Sequence, residues 1–337
     1  MFFKGRNLLS LSDLTDAEIS EIVAFAHELK GRFHAGEPMD FLSGAQLFVM
    51  DPEGLLGAWN PLALAMTQLG GKVMTIDTEN LRDKLGETWF DRLRLLELSG
   101  HGLASAGLNE SNGQSFLEDL GGEIKIPLIN AMSDLAAPMQ ALATQLTLTE
   151  LLADKLEDAR VAMVWAPPGQ AEKPLSHPIS LAEILLRRGL PIRMACPVRF
   201  HPGADAAEYL DAILPGGFEL SEDPAEALDG ADVVFSMNWT PDATSSDLDE
   251  LATIGSEYAP WKMVPELFAM ASDKALLGGG LPQSRDNEIA AELLESPRSI
   301  HLEESANLLH VAKAVLALYL DPVVQGSPQD NHDSTVQ

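Results

Sequence analysis

Gln140 and Arg285 are the side chains best suited to holding a small polar ligand. The carboxamide offers both donor and acceptor, and the guanidinium a planar fork for a carboxylate. Each also has a structural alternative: Gln140 satisfying backbone groups, Arg285 pairing with a surface acid. Trp59 and Asn60 open a helix and could line a pocket with a stacking face, or Trp59 could simply fill volume. Asn238 and Trp239 follow the apolar run 233–236, at the end of an expected strand. Lys173 and His177 could meet a carboxylate or lie on a solvated loop. Gly278-Gly279-Gly280 permits a tight loop or a close backbone approach to a ligand.

Spacing excludes other chemistries. His27, His34, His101, His201, His301 and His332 form no metal-ligand pattern. No G-x-G-x-x-G follows a strand, so Gly70-Gly71 reads as a helix stop and not a dinucleotide fingerprint. No cofactor is called for.

These residues hang on an alternating order of elements. Leu14, Ile19, Ile22, Val23, Ala26 and Leu29 recur at helical spacing and predict a helix over 14–30, capped by Asp13 or Thr15. Short apolar runs predict strands at 46–50, 72–76, 126–129, 161–165, 192–196 and 233–237. Helices are expected between them, at 60–69, 86–98, 134–152, 179–188, 206–213 and 225–228, with a strongly apolar last helix at 302–320. Strands alternating with helices imply α/β architecture with doubly wound parallel sheets, covered on both faces. The length favours two domains: 1–142, completed by the last helix, and 143–301. The polar stretch 325–337 is expected to be a disordered tail.

Composition narrows the partners. The net charge of −29 repels phosphate backbones, so nucleic acid is not an expected partner. No apolar run approaches the roughly 20 residues a membrane-spanning helix needs, and the N-terminus shows no secretory signal. Cys196 is the single cysteine, which precludes an intrachain disulfide and fits a reducing cytoplasm.

Several segments, in order along the chain, resemble the aspartate/ornithine carbamoyltransferase superfamily. Residues 7–15 look like its opening segment, and Ala63 to Gly71 like its first βα helix and glycine stop. Gly86-Glu87-Thr88 with Asp91 and Arg94 resembles its Gly-Glu-Ser-x-x-Asp-x-x-Arg segment. Residues 129–135, Pro138 and 140–143 resemble the linker strand and interdomain helix; Glu304, Asn307, His310 and Lys313 match the last helix. Met163 to Pro168 followed by Lys173-Pro174-Leu175 is similar to the N-acetylornithine and N-succinylornithine branch, whose chain is knotted through a proline-rich loop there. Trp239 resembles a tryptophan of that branch. The resemblance implies a trimer meeting through the N-terminal domains, or a hetero-oligomer with an active transcarbamylase, and a small amino-acid ligand.

The resemblance also shows what is gone. The family holds carbamoyl phosphate with Ser-x-Arg-Thr-Arg, a later arginine, His-Pro-x-Gln and His-Cys-Leu-Pro. Those positions read Leu55-Leu56-Gly57-Ala58-Trp59, Ala106, Ala137-Pro138-Met139-Gln140 and Gly279-Gly280-Leu281-Pro282. Gln140, Leu281, Pro282 and the following Arg285 remain. An acidic partner for a free δ-amine is not apparent around Met237-Asn238-Trp239. A charge-assisted hydrogen bond contributes about 1.5–3 kcal/mol, so losing three removes on the order of 5–9 kcal/mol, or three to six powers of ten in affinity. Asp51 and Glu53 in the same loop would repel a dianion. The expectation is a protein inactive in carbamoyl transfer, acting as a regulatory or scaffolding subunit. The alternatives are an enzyme with altered chemistry on an amino-acid derivative, and a divergent carbamoyltransferase of arginine metabolism.

Overall fold

The computed structural model describes residues 3–50, 60–76, 89–108, 112–241, 245–280 and 282–321. The expectations for Asp51, Glu53, residues 55–59 with Trp59, residues 86–88, Leu281 and the tail fall outside these residues. The chain divides into two compact units: Met1–Leu108 with Asn112–Ser133 and Leu308–Gln337, and Asn109–Ser111 with Asp134–Asn307.

The first unit begins with α1 (Asp16–His34). Thr15 is its cap, with Glu18 closing a capping box, and Ile19, Ile22, Val23, Ala26 and Leu29 form its buried stripe. Asp13 instead accepts from the N–H groups of Leu9 and Ser10. Arg6 donates to the Glu18 carboxylate and holds it well below the usual range, at about 2. Then follow β1 (Gln46–Met50), α2 (Pro61–Gln68), β2 (Lys72–Ile76), α3 (Trp89–Ser99), β3 (Gly102–Ser105), α4 (Gly113–Glu123) and β4 (Leu128–Asn130). The sheet is parallel throughout, in the order β2-β1-β3-β4. Phe48, Met50, Leu93, Leu103, Leu117, Leu120 and Leu128 fill one core cluster of this unit.

The second unit contains α5 (Pro138–Leu152), β5 (Val161–Trp165), α6 (Ser176–Arg187), β6 (Ile192–Ala195), α7 (Ala204–Ile213), β7 (Phe218–Ser221), α8 (Pro224–Leu228) and β8 (Val233–Met237). It continues with α9 (Leu248–Glu257), α10 (Pro265–Phe268), β9 (Leu276–Gly278), α11 (Ala291–Leu294) and the start of α12 (His301–Tyr319). Its sheet is also parallel, in the order β7-β6-β5-β8-β9. All of β5 and β8 is buried, as befits inner strands of a parallel sheet covered on both faces. The α5 helix starts at Pro138, four residues later than the periodicity suggests, because proline is suited to the first helical turn. The whole of α5 lies in the second unit, whereas the sequence boundary at 142 divides it.

From Leu308 onward, α12 belongs to the first unit. Tyr319 accepts from the Gly5 N–H and its ring lies 5.4 Å from that of Phe3. Lys313 is fully buried there, its ammonium 4.1 Å above the Phe33 ring and without a hydrogen-bond acceptor among the described residues. The His34 ring meets Phe33 edge-on and the His310 ring is tilted against it, each with centroids 5.6 Å from Phe33. Burial pushes the Lys313 amine down to about 8. The unfolded chain then binds this proton more tightly than the folded one, so stability rises as pH climbs from about 8 to the ordinary lysine range. Lys313→Met is expected to stabilise the protein by roughly 1 kcal/mol at pH 7 and to flatten that rise. Urea titrations of both proteins at pH 7 and pH 10 check this; a Met variant less stable at pH 7 contradicts it. No described helix is long and apolar enough to cross a membrane.

Candidate functional site

Open parallel sheets present ligands with the carboxyl ends of their strands, at the point where strand order reverses. In the first unit that point lies between β1 and β3, which are neighbours while β2 sits on the other side of β1. Ala106 follows β3, its N–H donating to the Met50 carbonyl and its methyl buried. Asn60 caps α2, its side-chain oxygen accepting from the Ala63 N–H at 2.9 Å. That bond commits the oxygen to the helix.

In the second unit the reversal falls between β5 and β8, with β6 on the far side of β5. The proline-rich loop leaves β5 and is laced to the segment after β8. The Lys173 N–H donates to the Asn238 side-chain oxygen at 2.9 Å, and the Thr240 N–H donates to the Lys173 carbonyl at 2.9 Å. The Lys173 ammonium reaches the other way, to the Pro282 carbonyl at 2.7 Å and the buried Glu288 carboxylate at 3.1 Å. Lys173 therefore ties together the loops that follow β5, β8 and β9.

The glycine run leaves β9 and turns here. Gly279 and Gly280 have φ of 146° and 70°, left-handed conformations that other residues rarely adopt. Both N–H groups donate to one Glu304 oxygen, at 3.1 and 3.2 Å, while Thr144 donates to its other oxygen at 2.6 Å. Glu304 is fully buried, and desolvation raises its carboxyl above the ordinary range. The carbonyls of Gly279 and Gly280 accept from the Gln283 amide. Every backbone polar group of this glycine pair is thus taken.

Two of the unpartnered side-chain nitrogens lie at this turn. His177 Nε2 and Gln140 Nε2 are buried without a hydrogen-bond partner among the described residues. They converge: a Cβ built on Gly280 would stand 2.8 Å from His177 Cε1 and 3.3 Å from Gln140 Nε2. Burial, reinforced by the Lys173 charge, pushes the His177 imidazole down to about 3, so it is neutral at physiological pH. Ser236 Oγ and Asn238 Nδ2, at the carboxyl end of β8, are likewise buried and without partners.

The other sequence candidates are placed elsewhere. Trp239 is buried in an aromatic cluster: its N–H donates to the Phe200 carbonyl at 2.8 Å, and Trp165 donates to the Trp239 carbonyl at 2.9 Å. Trp165 and Phe200 stack with centroids 4.1 Å apart. Arg285 is exposed and pairs with Glu295 at 2.8 Å. Pro282 contributes its carbonyl to Lys173 and its ring to solvent. Ala137 is buried at the start of α5, its N–H donating to Ser180. Sequence reasoning did not foresee Glu304 as the clamp on the glycine turn, nor Glu288 as the partner of Lys173. A carboxylate between apolar positions of a buried helix was the available signal. Among the described residues no group of three or more His, Cys, Asp or Glu could hold a metal ion.

Comparison with known proteins places the chain in a family. Residues 6–150 match the carbamoyl-P binding domain of aspartate/ornithine carbamoyltransferase, and residues 177–319 its Asp/Orn binding domain. The chain is 30% identical over 322 residues to an ornithine carbamoyltransferase of Hyperthermus butylicus, covering 94% of this chain and 98% of that one. The solved ornithine carbamoyltransferase of Pyrococcus furiosus superposes with a TM-score of 0.81 at 26% identity, covering 95% and 98% of the two chains. An acetylornithine transcarbamylase complexed with acetylcitrulline, at 19% identity and a TM-score of 0.79 over 94% and 99%, shares the fold. The chain belongs to the aspartate/ornithine carbamoyltransferase family.

Proposed function

We propose that this protein is a family member that does not transfer a carbamoyl group from carbamoyl phosphate, and that it acts as a regulatory or scaffolding subunit. One observation supports this above others. Where the family resemblance calls for a guanidinium and for imidazoles, the residue after β3 in the first unit is Ala106, and in the second unit the start of α5 presents Ala137 and the turn after β9 the bare backbone of Gly279 and Gly280. The glycine N–H groups do not compensate, since the Glu304 carboxylate already occupies them. A dianion meeting either unit at these positions would shed its water without gaining a guanidinium or imidazolium from them, at a chain whose net charge is −29. The family trimer, formed with itself or with an active transcarbamylase, is the assembly that fits such a role.

The names of the relatives favour a second reading, a divergent carbamoyltransferase acting on ornithine or an acylated ornithine. Calorimetry with carbamoyl phosphate, paired with a citrulline assay on the protein alone and mixed with an active paralogue, separates the two. The expected results are no binding at millimolar carbamoyl phosphate, no product from the protein alone, and a changed rate in the mixture. Micromolar binding, or turnover by the protein alone, sinks the first reading.

A further inference from the structure

We propose that the open edge of β7 is a docking edge for an extended, basic segment of a partner protein, which joins the second unit's sheet as one more strand. Such docking does not depend on whether the protein transfers carbamoyl groups. The sheet runs β7-β6-β5-β8-β9, so β7 and β9 are its edges. The β9 edge is closed. Ser299 bridges to Leu277, with the Leu277 N–H donating to the Arg298 carbonyl and the Ile300 N–H to the Leu277 carbonyl. In the first unit Leu8 closes the edge of β4 in the same way. Among the described residues no segment bridges to β7 from its outer side. The register tells which backbone groups are left. The N–H groups of Ile192 and Cys196 donate to the Gly217 and Ser221 carbonyls, so the odd-numbered residues here turn their backbone to β6. Successive residues of a strand alternate, and Phe218 and Leu220 therefore turn their N–H and C=O groups outward. A row of this kind is a ready template for another strand.

Charge selects the occupant. No lysine or arginine stands between Arg199 and Lys262, a stretch rich in aspartate and glutamate that includes β7. Glu219 and Glu222 are exposed, and among the described residues neither is in an ion pair. Arg193 lies opposite Glu219 on β6, but its guanidinium donates to the carbonyls of Glu226 and Asp229. Charged side chains on an edge strand keep identical edges apart. Two copies of β7 would set carboxylate against carboxylate, so this edge rejects its own kind. A strand with lysine or arginine opposite Glu219 and Glu222 meets the reverse situation, since cross-strand pairs of opposite charge are stabilising. An apolar residue opposite Leu220 would cover that exposed side chain. The partner that fits is an extended peptide segment in which basic residues flank an apolar one.

Fluorescence anisotropy with the full chain and labelled acetyl-Lys-Val-Lys-Val-Lys-Val-amide at low salt tests this. The peptide should bind about ten-fold more tightly than an equally charged Lys-Pro repeat, which lacks every second N–H and cannot lay down a ladder. A Glu-Val repeat should not bind. Leu220→Pro removes an outward N–H at an edge position, where proline is tolerated, and should weaken the Lys-Val peptide about ten-fold in a folded protein. Glu219→Lys combined with Glu222→Lys leaves the backbone intact and should weaken it as much, which keeps the test decisive if the proline variant fails to fold. Hydrogen exchange over residues 218–222 should slow when the peptide binds. No binding of the Lys-Val peptide, unchanged exchange, or affinity that survives the double lysine variant overturns the docking edge. So does equal binding of the Lys-Pro repeat, which would reduce the effect to attraction by a chain of net charge −29.

Discussion

Replacing Glu304 with alanine is expected to lower the free energy of unfolding by about 3–5 kcal/mol, measured by urea denaturation at pH 7. The size follows from what the carboxylate holds. It accepts from Gly279 N–H, Gly280 N–H and Thr144 Oγ1, and all three bonds lie in the buried interior of the second unit. Alanine leaves those donors without water and without partner, and each orphan costs about 1–3 kcal/mol. It also opens a void beside Gly278, where Glu304 Oε2 would stand only 2.9 Å from a Cβ. Glu304→Gln should cost less, about 1–2 kcal/mol, because the amide oxygen still accepts while its NH2 faces a donor. If alanine costs under about 1 kcal/mol, the glycine turn is held by something other than this carboxylate.

Trp239→Ala is expected to cost a comparable 3–5 kcal/mol. The indole is fully buried, and its N–H satisfies the Phe200 carbonyl. Trp239→Phe keeps most of the apolar contact but strands that carbonyl, so a penalty of about 1–2 kcal/mol should remain. The pair of variants also separates packing from ligand contact. A tryptophan that touched ligand would change binding in the Phe variant out of proportion to stability. The burial seen here predicts that the two fall together, and a large change in ligand binding at nearly parental stability would contradict it.

Much of the architecture was legible in the chain. The runs 46–50, 161–165 and 233–237 coincide with β1, β5 and β8 because a strand covered on both faces needs a short, mostly apolar stretch, and 72–76 coincides with β2, an edge strand. What escaped lacks that signature. The β7 strand is an edge strand with half its residues exposed, and β9 is three residues long. The α4 helix carries Gly121 and Gly122 near its end, which weakens any helical pattern. The site was less legible than the fold for a different reason. Gln140, His177 and Gly280 are each visible in the sequence, but their meeting is a property of topology. Glu304 reaches a threonine 160 positions away, and no local periodicity encodes such a pairing.

The path of α12 bears on how the protein is made. Residues 134–307 of the second unit are contiguous, whereas the first unit is closed by the stretch beginning at Leu308. The segment that buries Lys313, seats Leu320 against Gly102 and receives the Gly5 N–H at Tyr319 leaves the ribosome only after all of 134–307. Multidomain chains generally complete their N-terminal portion first during synthesis. Here the order is inverted: the downstream unit can mature while the upstream sheet waits, part of its helical cover still unsynthesised, for the turns of α12 that begin at Leu308.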